Sequence, residues 1–556
     1  MLKASIEQPN EAILALCANI AGNREIIAAC LFGPQVSGYG NARSDLNVLL
    51  ILKGFASRLK SYKKKMGDRN ALFLAVDQAA FQRDVSNGWL GEIAAERLLT
   101  PYEPLVNADY LRRQEVVLKR RIVWELLESL VQEFPELWNE LTINQEYFMY
   151  ETQMERAKLF PLAAYRFLNM TRDDVKSKNI EMMMNGYRAA LERLAEEKWI
   201  TLTDGNVKIT QKFVIAVRSA KIRVPAFLRS VQRAALLHVF STLPRMLAPL
   251  TVEEELYTKN HPEMREKDNP ALEMEDSDDY VFVPTPLGAV PLSDATNIEE
   301  FGKKFIPDAT AAADEIGGVL NSVYLLTLCK NDEERKIIVK KFRDWTGFKW
   351  FPLTLWSLGT KRFAVLGKSR LEREYALNQY LMSNNIVVPR ILHVSPKQRL
   401  IFQEFVEGKT VAETVRSMLS SRGEAEEQLD LIRDVGKHVA KTHQLSVSLG
   451  DCKPENIIVE KNGELCFVDL EQASRDGDQP WDIAEFLYSS GHYVQPLAPT
   501  DKLEHLAKAF IEGYLEAGGK KETIKTAASP RYTKVFTIFT QPHVILAVSN
   551  LCRRVK

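Results

Sequence analysis

Three observations in the sequence predict a multidomain protein of mixed α/β and α+β class. Its 556 residues exceed what one hydrophobic core holds, because single cores stop growing at about 250–300 residues. Helix-period and strand-period patterns alternate in two separate stretches, one before Asn107 and one after Pro307. Between them, Thr251–Asp294 is rich in Glu, Asp and Pro, including Glu273–Asp279 and Pro284-Thr285-Pro286, and is too polar to bury much surface. The predicted order is an α/β domain over 1–108, a helical domain over 109–250, a flexible acidic linker over 251–307 and a bilobal domain over 308–556.

Composition excludes more than it assigns. A 46% hydrophobic content is ordinary for packed structure, and 73 basic against 73 acidic side chains leave no global field for nucleic acid or membrane. The six cysteines (Cys17, Cys30, Cys329, Cys452, Cys466 and Cys552) show no C-x-x-C spacing, so neither a structural zinc nor a disulfide framework is expected. No apolar run approaches the ~20 residues that span a bilayer, and no basic segment leads into an apolar one at the N-terminus. The expectation is a cytoplasmic protein with no membrane partner; its oligomeric state is not legible.

The first domain reads as an amphipathic helix, Glu11–Ile20, followed by strands at Ile26–Phe32, Asp45–Leu52 and Ala71–Val76. A charged helix from Tyr110 to Val131 sets Arg112, Arg113, Lys119, Arg120 and Arg121 beside regularly spaced Val116, Leu118, Ile122 and Leu126; its basic face is expected to be solvated. Further helices follow, with Tyr187, Leu191 and Leu194 at i, i+4 and i+7. Then Trp199–Thr203 turns through Asp204-Gly205-Asn206 into Val207–Thr210, a hairpin with a tight-turn step. Over 144–211 this succession resembles a winged-helix domain. The segment reads as a nucleic-acid reader or a protein spacer, and Arg188 and Arg193, standing among Glu192, Glu196 and Glu197, favour the spacer.

The last domain carries the chemistry. Leu449-Gly450-Asp451-Cys452-Lys453-Pro454-Glu455-Asn456 is followed by the apolar strand Leu465–Val468 ending in Asp469. A phosphoryl-transfer site needs such a set: one carboxylate to accept the proton of an attacking hydroxyl, an amide from the same loop on a metal, and a second carboxylate on the metals bridging the ATP phosphates. Upstream, Ile337-Ile338-Val339-Lys340 presents a lysine at a strand end, with Lys341 as fallback, and the helical segment Leu371–Leu377 offers Glu374, or less favourably Glu372, to orient it. Glu404-Phe405-Val406-Glu407-Gly408 reads as a hinge whose backbone at Glu404 and Val406 meets adenine. Gly317 and Gly318 offer backbone amides to phosphate.

Together these residues resemble the protein-kinase-like superfamily over 308–556. The resemblance implies Asp451 as catalytic base and Lys453 as the charge that neutralises the transferring phosphoryl group. It further implies Asn456 and Asp469 as metal ligands, and Lys340 with Glu374 as the ATP-anchoring pair. ATP and Mg²⁺ or Mn²⁺ are the implied cofactors. Three departures stand out: Leu449 replaces the histidine that opens the catalytic loop, so the loop's usual internal hydrogen bonding is expected to be missing; Glu471 replaces the glycine of D-F-G; and no A-P-E motif closes an activation segment before Trp481-Asp482-Ile483-Ala484. The domain is thus similar to compact atypical kinases of the RIO and KEOPS-associated kind, or to aminoglycoside phosphotransferases. Lys453 points to a serine or threonine of a protein substrate as acceptor.

At the other end, the run from Gly33-Pro34 through Gly38 to Ser44-Asp45-Leu46-Asn47 resembles the minimal nucleotidyltransferases of the polymerase-beta type. Gly33, Gly38, Ser44 and Asp45 stand at the family's positions, but its phosphate-gripping serine is Pro34 and its second metal carboxylate is Asn47. Losing that charge at ~4 Å, with an effective dielectric of about 20, removes roughly 4 kcal/mol of metal attraction. Asp77 reads either as the third carboxylate or as a strand-end cap. The expectation is a nucleotidyltransferase-like domain that has lost most of its catalysis and is left to bind nucleotide or a partner. A non-catalytic nucleotide-binding scaffold, a small-molecule kinase and nucleotidyl transfer remain the alternatives for the whole chain.

Overall fold

The computed structural model describes residues 4–41, 44–159, 162–219, 259, 270–317, 322–344, 366–420, 426–495, 498–537 and 539–555. The chain divides into two compact units, Met1–Phe282 and Val283–Lys556.

In the first unit, helix α1 (Ala4–Ala21) precedes a five-stranded sheet of β1 (Ile26–Phe32), β2 (Leu46–Leu52), β3 (Leu59–Met66), β4 (Arg69–Asp77) and β5 (Tyr102–Val106), in the order β3-β4-β2-β1-β5. β2 and β4 run parallel, and the other pairs antiparallel. Strand alternation turns Val48, Leu50, Ala71, Phe73 and Ala75 toward Ile13 and Cys17 of α1. Helix α2 (Gln78–Asn87) leaves β4 directly, capped by Asp77. The lysine-rich β3 escapes pattern reading because it is an edge strand, where exposed lysines block pairing with other chains.

Helices α3 (Ala108–Glu133), α4 (Tyr147–Leu159), α5 (Leu162–Met170), α6 (Lys176–Glu196) and α7 (Gln211–Ser219) make up the rest, with short strands β6 (Thr142–Asn144), β7 (Ile200–Thr203) and β8 (Asn206–Ile209). β7 and β8 form the expected hairpin. Asp204 and Gly205 at its turn have φ of 49° and 76°, the left-handed pair of a type I′ turn. The basic face of α3 is solvated only in part: Arg112 and Arg113 are exposed as expected, but two of its cations turn inward. Lys119 is buried, 2.6 Å from Glu115 and 2.6 Å from the Met183 carbonyl, and Arg121 reaches Glu92 at 2.6 Å. These two cations neutralise buried acids instead of facing water.

The linker reading is corrected for residues 270–294; 251–258 and 260–269 lie outside the described residues. Pro270–Glu273 and Ser277–Tyr280 form 3-10 turns, the second capped by Asp276. Strand β9 (Val281–Thr285) pairs Val281 and Phe282 with Ile143 and Thr142, and Val281 and Val283 are buried. A few alternating valines suffice here, because β6 supplies the missing hydrogen-bond partners.

The second unit opens with the remainder of β9, β10 (Gly288–Pro291) and α8 (Ile298–Phe305), whose Asn297 and Glu300 form a reciprocal capping box. An antiparallel sheet follows, of β11 (Thr310–Gly317), β12 (Ser322–Lys330), β13 (Glu333–Lys341), β14 (Ile391–Ser395) and β15 (Leu400–Glu404), in the order β11-β12-β13-β15-β14, with α9 (Gly367–Ser383) between β13 and β14. Its core joins Leu326, Leu328, Ile337, Val339, Leu400 and Phe402 to Phe301 of α8.

The remaining elements are mostly helical: α10 (Val411–Ser420), α11 (Glu426–Gln444), α12 (Gln479–Gly491), α13 (Asp501–Glu516), α14 (Lys521–Ala527), α15 (Pro530–Phe536) and α16 (Pro542–Arg554). Short strands β16 (Gly408–Thr410), β18 (Ile457–Glu460) and β19 (Leu465–Phe467) form one small sheet, and β17 (Val447–Ser448) pairs with β20 (Ser474–Arg475). α11 and α13 cross at backbone contact: a Cβ on Gly436 would lie 2.2 Å from the Phe510 carbonyl, and one on Gly513 1.9 Å from that of Arg433. Only glycine permits this approach, which fixes the helix that carries His443. Among the described residues no helix is long and apolar enough to cross a membrane.

Candidate active site

β13 alternates Ile337 and Val339 into the sheet core, so Lys340 emerges on the opposite face with the register Val323–Lys340–Ile401. There the buried ammonium meets Glu374 of α9 at 2.8 Å and Asp469 at 3.2 Å. Burial alone would lower the Lys340 pKa, but the Asp469 and Glu374 carboxylates outweigh it and hold the group above its ordinary value. The lysine stays charged at every physiological pH. Glu372 and Lys341 take no part in this cluster, and Glu374 sits one helical turn from Arg370 on the same face of α9.

The loop after β17 presents Asp451, Lys453 and Asn456. Lys453 lies 2.6 Å from Asp451, and the Asn456 amide donates to both the Asp451 carbonyl (2.9 Å) and its Oδ2 (3.0 Å). Burial works against the Lys453 charge, yet Asp451 and Glu485 hold its pKa above the ordinary lysine range. A bond from Val468 N–H to the Asn456 carbonyl, 2.9 Å, sets the start of β18 beside the end of β19 and so brings Asn456 and Asp469 onto adjacent chain segments. Asp469 has φ of 67°, a left-handed conformation that a non-glycine residue adopts at a cost and that recurs at functional sites.

The loop's backbone is not left unsupported by Leu449, contrary to expectation. Asp482 of α12, wholly buried, accepts the Leu449 and Gly450 amides at 2.7 Å each and the Ser448 hydroxyl at 3.2 Å. Behind it stands His443 of α11, with Nε2 3.0 Å from Asp482 and Nδ1 2.8 Å from the Tyr514 hydroxyl. Glu485, one turn on, accepts the Cys452 amide at 2.8 Å and the Trp481 indole at 2.9 Å. Sequence reasoning missed Asp482, Glu485 and His443 as supports. The available signal was the pair of acids at i and i+3 in an otherwise apolar helix, a pattern that demands buried donors.

Of the remaining expected residues, Glu404 ends β15 opposite Ile337, and the partly buried Val406 follows it before β16, while Gly317 ends β11 opposite Val323. Gly318 lies outside the described residues. Among the described residues no three His, Cys, Asp or Glu side chains gather as a self-sufficient metal cage. The oxygen donors of Asn456 and Asp469 suit a hard cation such as Mg²⁺ that takes its other ligands from phosphate and water.

The first unit brings its expected residues together only in part. Gly33 (φ 83°) and Gly38 (φ 80°) bracket the loop after β1, and the Ser44 hydroxyl closes it by bonding Asn41. Asn47 is buried with its amide against Gly33, so that a Cβ there would lie 2.6 Å from its nitrogen. Asp45 accepts from Asn70 at 3.0 Å. Asp77 does not join them. It sits at the far end of β4, where Asn47's register partner is Leu72, and its oxygens accept the Phe55, Ala79 and Ala80 amides as a helix cap.

Comparison with known proteins agrees with the second unit's geometry. Residues 334–486 match the lipopolysaccharide kinase (Kdo/WaaP) family. The chain is also 29% identical over 175 residues to a probable serine/threonine-protein kinase BUD32 homolog of Archaeoglobus fulgidus, covering 30% of this chain and 80% of that protein. It is 25% identical over 158 residues to the KEOPS complex subunit Bud32 of Pyrococcus abyssi, covering 28% and 67%. A probable bifunctional tRNA threonylcarbamoyladenosine biosynthesis protein of Methanobrevibacter smithii is 25% identical over 155 residues, covering 28% and 26%. The C-terminal region is therefore similar to atypical protein kinases. The first unit lies outside the family match.

Proposed function

We propose that this protein is an ATP- and metal-dependent kinase that phosphorylates a serine or threonine hydroxyl on a protein. The carrying observation is the convergence of Lys340, Glu374 and Asp469, drawn from a strand, a helix and a loop far apart in sequence. Lys340 anchors the α and β phosphates, exchanging its contact with Asp469 for phosphate oxygen. Asp451 accepts the hydroxyl proton as that oxygen attacks the γ-phosphorus and the bond to the ADP leaving oxygen breaks. Lys453, already beside Asp451, supplies positive charge to the transferring group. A divalent metal held by Asn456 and Asp469 would neutralise charge on the phosphates.

In this reading the first unit is a nucleotidyltransferase-like fold without catalysis, since Asp45 is left without a second carboxylate, and 144–211 is a winged-helix-like spacer. Parallel incubations with γ-labelled and α-labelled ATP test it. Label from the γ position on phosphoserine or phosphothreonine of the protein or an added cell extract supports the reading. Transfer of α label, or a labelled metabolite with no modified protein, would sink it. The pairing of Lys453 with Asp451 also fits a non-catalytic scaffold, which predicts metal-dependent ATP binding without turnover.

A further inference from the structure

Two buried cations in the second unit tie together the same three segments. Lys340 joins its own strand β13 to Glu374 on α9 and to Asp469. Arg370, one turn before Glu374 on the same face of α9, is wholly buried; its Nη1 lies 3.3 Å from each oxygen of Glu471, and its Nη2 donates to the carbonyl of Arg343, just past β13. Glu471 follows Asp469 by two residues and stands where D-F-G ends in glycine.

The segment after Glu471 is held as well. Arg475 pairs with Val447, and its guanidinium lies 4.2 Å from the ring centroid of Tyr380 on α9, while Asp478 accepts the Tyr532 hydroxyl at 2.6 Å and lies 3.2 Å from Arg531. Each hold couples the metal-site segment either to α9 or to the helical part of the domain. A buried ion pair is a poor means of raising stability, because desolvating both charges offsets their attraction; its best-attested use is to select one arrangement among alternatives. The arrangement selected here is the one that brings Glu374 to Lys340.

We infer that Arg370 and Glu471 are positioning residues that hold α9 and Asp469 permanently in the ATP-binding arrangement. They take the role that a phosphorylated activation segment plays in regulated kinases. The inference rests on the kinase reading above. It requires that activity be independent of prior phosphorylation, and that restoring the usual glycine be harmful.

The test is a comparison of full-length wild type, Glu471→Gly, Arg370→Lys and the exchanged Arg370→Glu/Glu471→Arg, each assayed well below its melting temperature for kcat, KM for ATP and magnesium dependence. Glu471→Gly is expected to lose about 10–100-fold in kcat/KM and to need more magnesium, as changes behind a metal site usually do. Arg370→Lys should lose less, the exchanged pair should recover part of the loss, and phosphatase-treated wild type should keep its full rate. Folded Glu471→Gly with wild-type kcat/KM and magnesium dependence, or a wild type silenced by phosphatase, would overturn the inference. If wild type transfers no phosphate at all, the kinase reading fails, but calorimetry with a non-hydrolysable ATP analogue and Mg²⁺ still decides the clamp: 10–100-fold weaker binding by Glu471→Gly supports it, and equal binding refutes it.

Discussion

The two units put buried charge to opposite uses. In the second, Lys340 and Asp451 belong to clusters that stay open to solvent, because Asp469 and Lys453 are part-exposed. In the first, charges close on one another: Glu115 with Lys119, Glu92 with Arg121 and Arg156, and Glu96 with Arg97 and Arg166. In sequence both units resemble phosphate-handling enzymes, the first with Asn47 in place of an acid. Among the described residues, only the second gathers a lysine, Lys340, with two carboxylates, Glu374 and Asp469, one of them part-exposed.

The largest test of that contrast is removal of the acids in the second unit. Asp451→Ala and Asp469→Ala should each lower γ-phosphoryl transfer by about 10²–10⁴-fold, the range for losing a positioned base or charge. Their melting temperatures should move little, and initial rates with γ-labelled ATP provide the measurement. In the first unit the corresponding blow falls on stability instead. Lys119→Met leaves the Glu115 carboxylate buried without its cation and should cost about 3–5 kcal/mol in urea unfolding, with phosphoryl transfer by the folded fraction unchanged.

Asp482→Ala joins both effects. Two amides and a hydroxyl lose a buried acceptor, a loss of roughly 3–9 kcal/mol at about 1–3 kcal/mol per group left unpaired, and the loop bearing Asp451 should loosen enough to lower kcat. A normal rate in a folded Asp482→Ala variant would mean that the loop is held by other contacts.

A smaller effect is pH-dependent. Burial pushes the Glu151 carboxyl up to about 7, against a hydrogen bond from Ser277 that lowers it. With the folded pKa above the unfolded one, the native state binds the extra proton between roughly pH 4.5 and 7, so stability falls as pH rises through that window. Glu151→Gln should remove this slope and raise stability at pH 8 by about 1–2 kcal/mol, at 1.36 kcal/mol per pKa unit with allowance for partial solvation. An unchanged pH profile in denaturant unfolding counts against it. The smallest expected effect is none: Asn47→Asp should not confer transfer of α label, because Asp77 is occupied as a helix cap and Pro34 offers a phosphate neither a hydroxyl nor a backbone N–H.

Much of the fold was legible because its signals are local. The apolar strands β1, β2 and β4, the Asp-Gly hairpin and the spacing of Asp451, Lys453 and Asn456 depend on neighbours along the chain, where side-chain period and turn chemistry act. β3 was not legible, because an edge strand of lysines has no apolar period, and 270–294 looked unstructured because its pairing partner, Ile143, lies in a distant segment. The same distinction separates the residues within the site. Motif spacing picked out a lysine, two acids and an amide as candidates for a phosphoryl-transfer set. Only the tertiary structure decided that Glu374 and not Glu372 meets Lys340, that Asp482 and His443 stand in for a missing loop histidine, and that Arg370 finds Glu471. Pairing of buried charges is settled by which segments pack together, and a desolvated ion has no preference that can be read from its own neighbours in sequence.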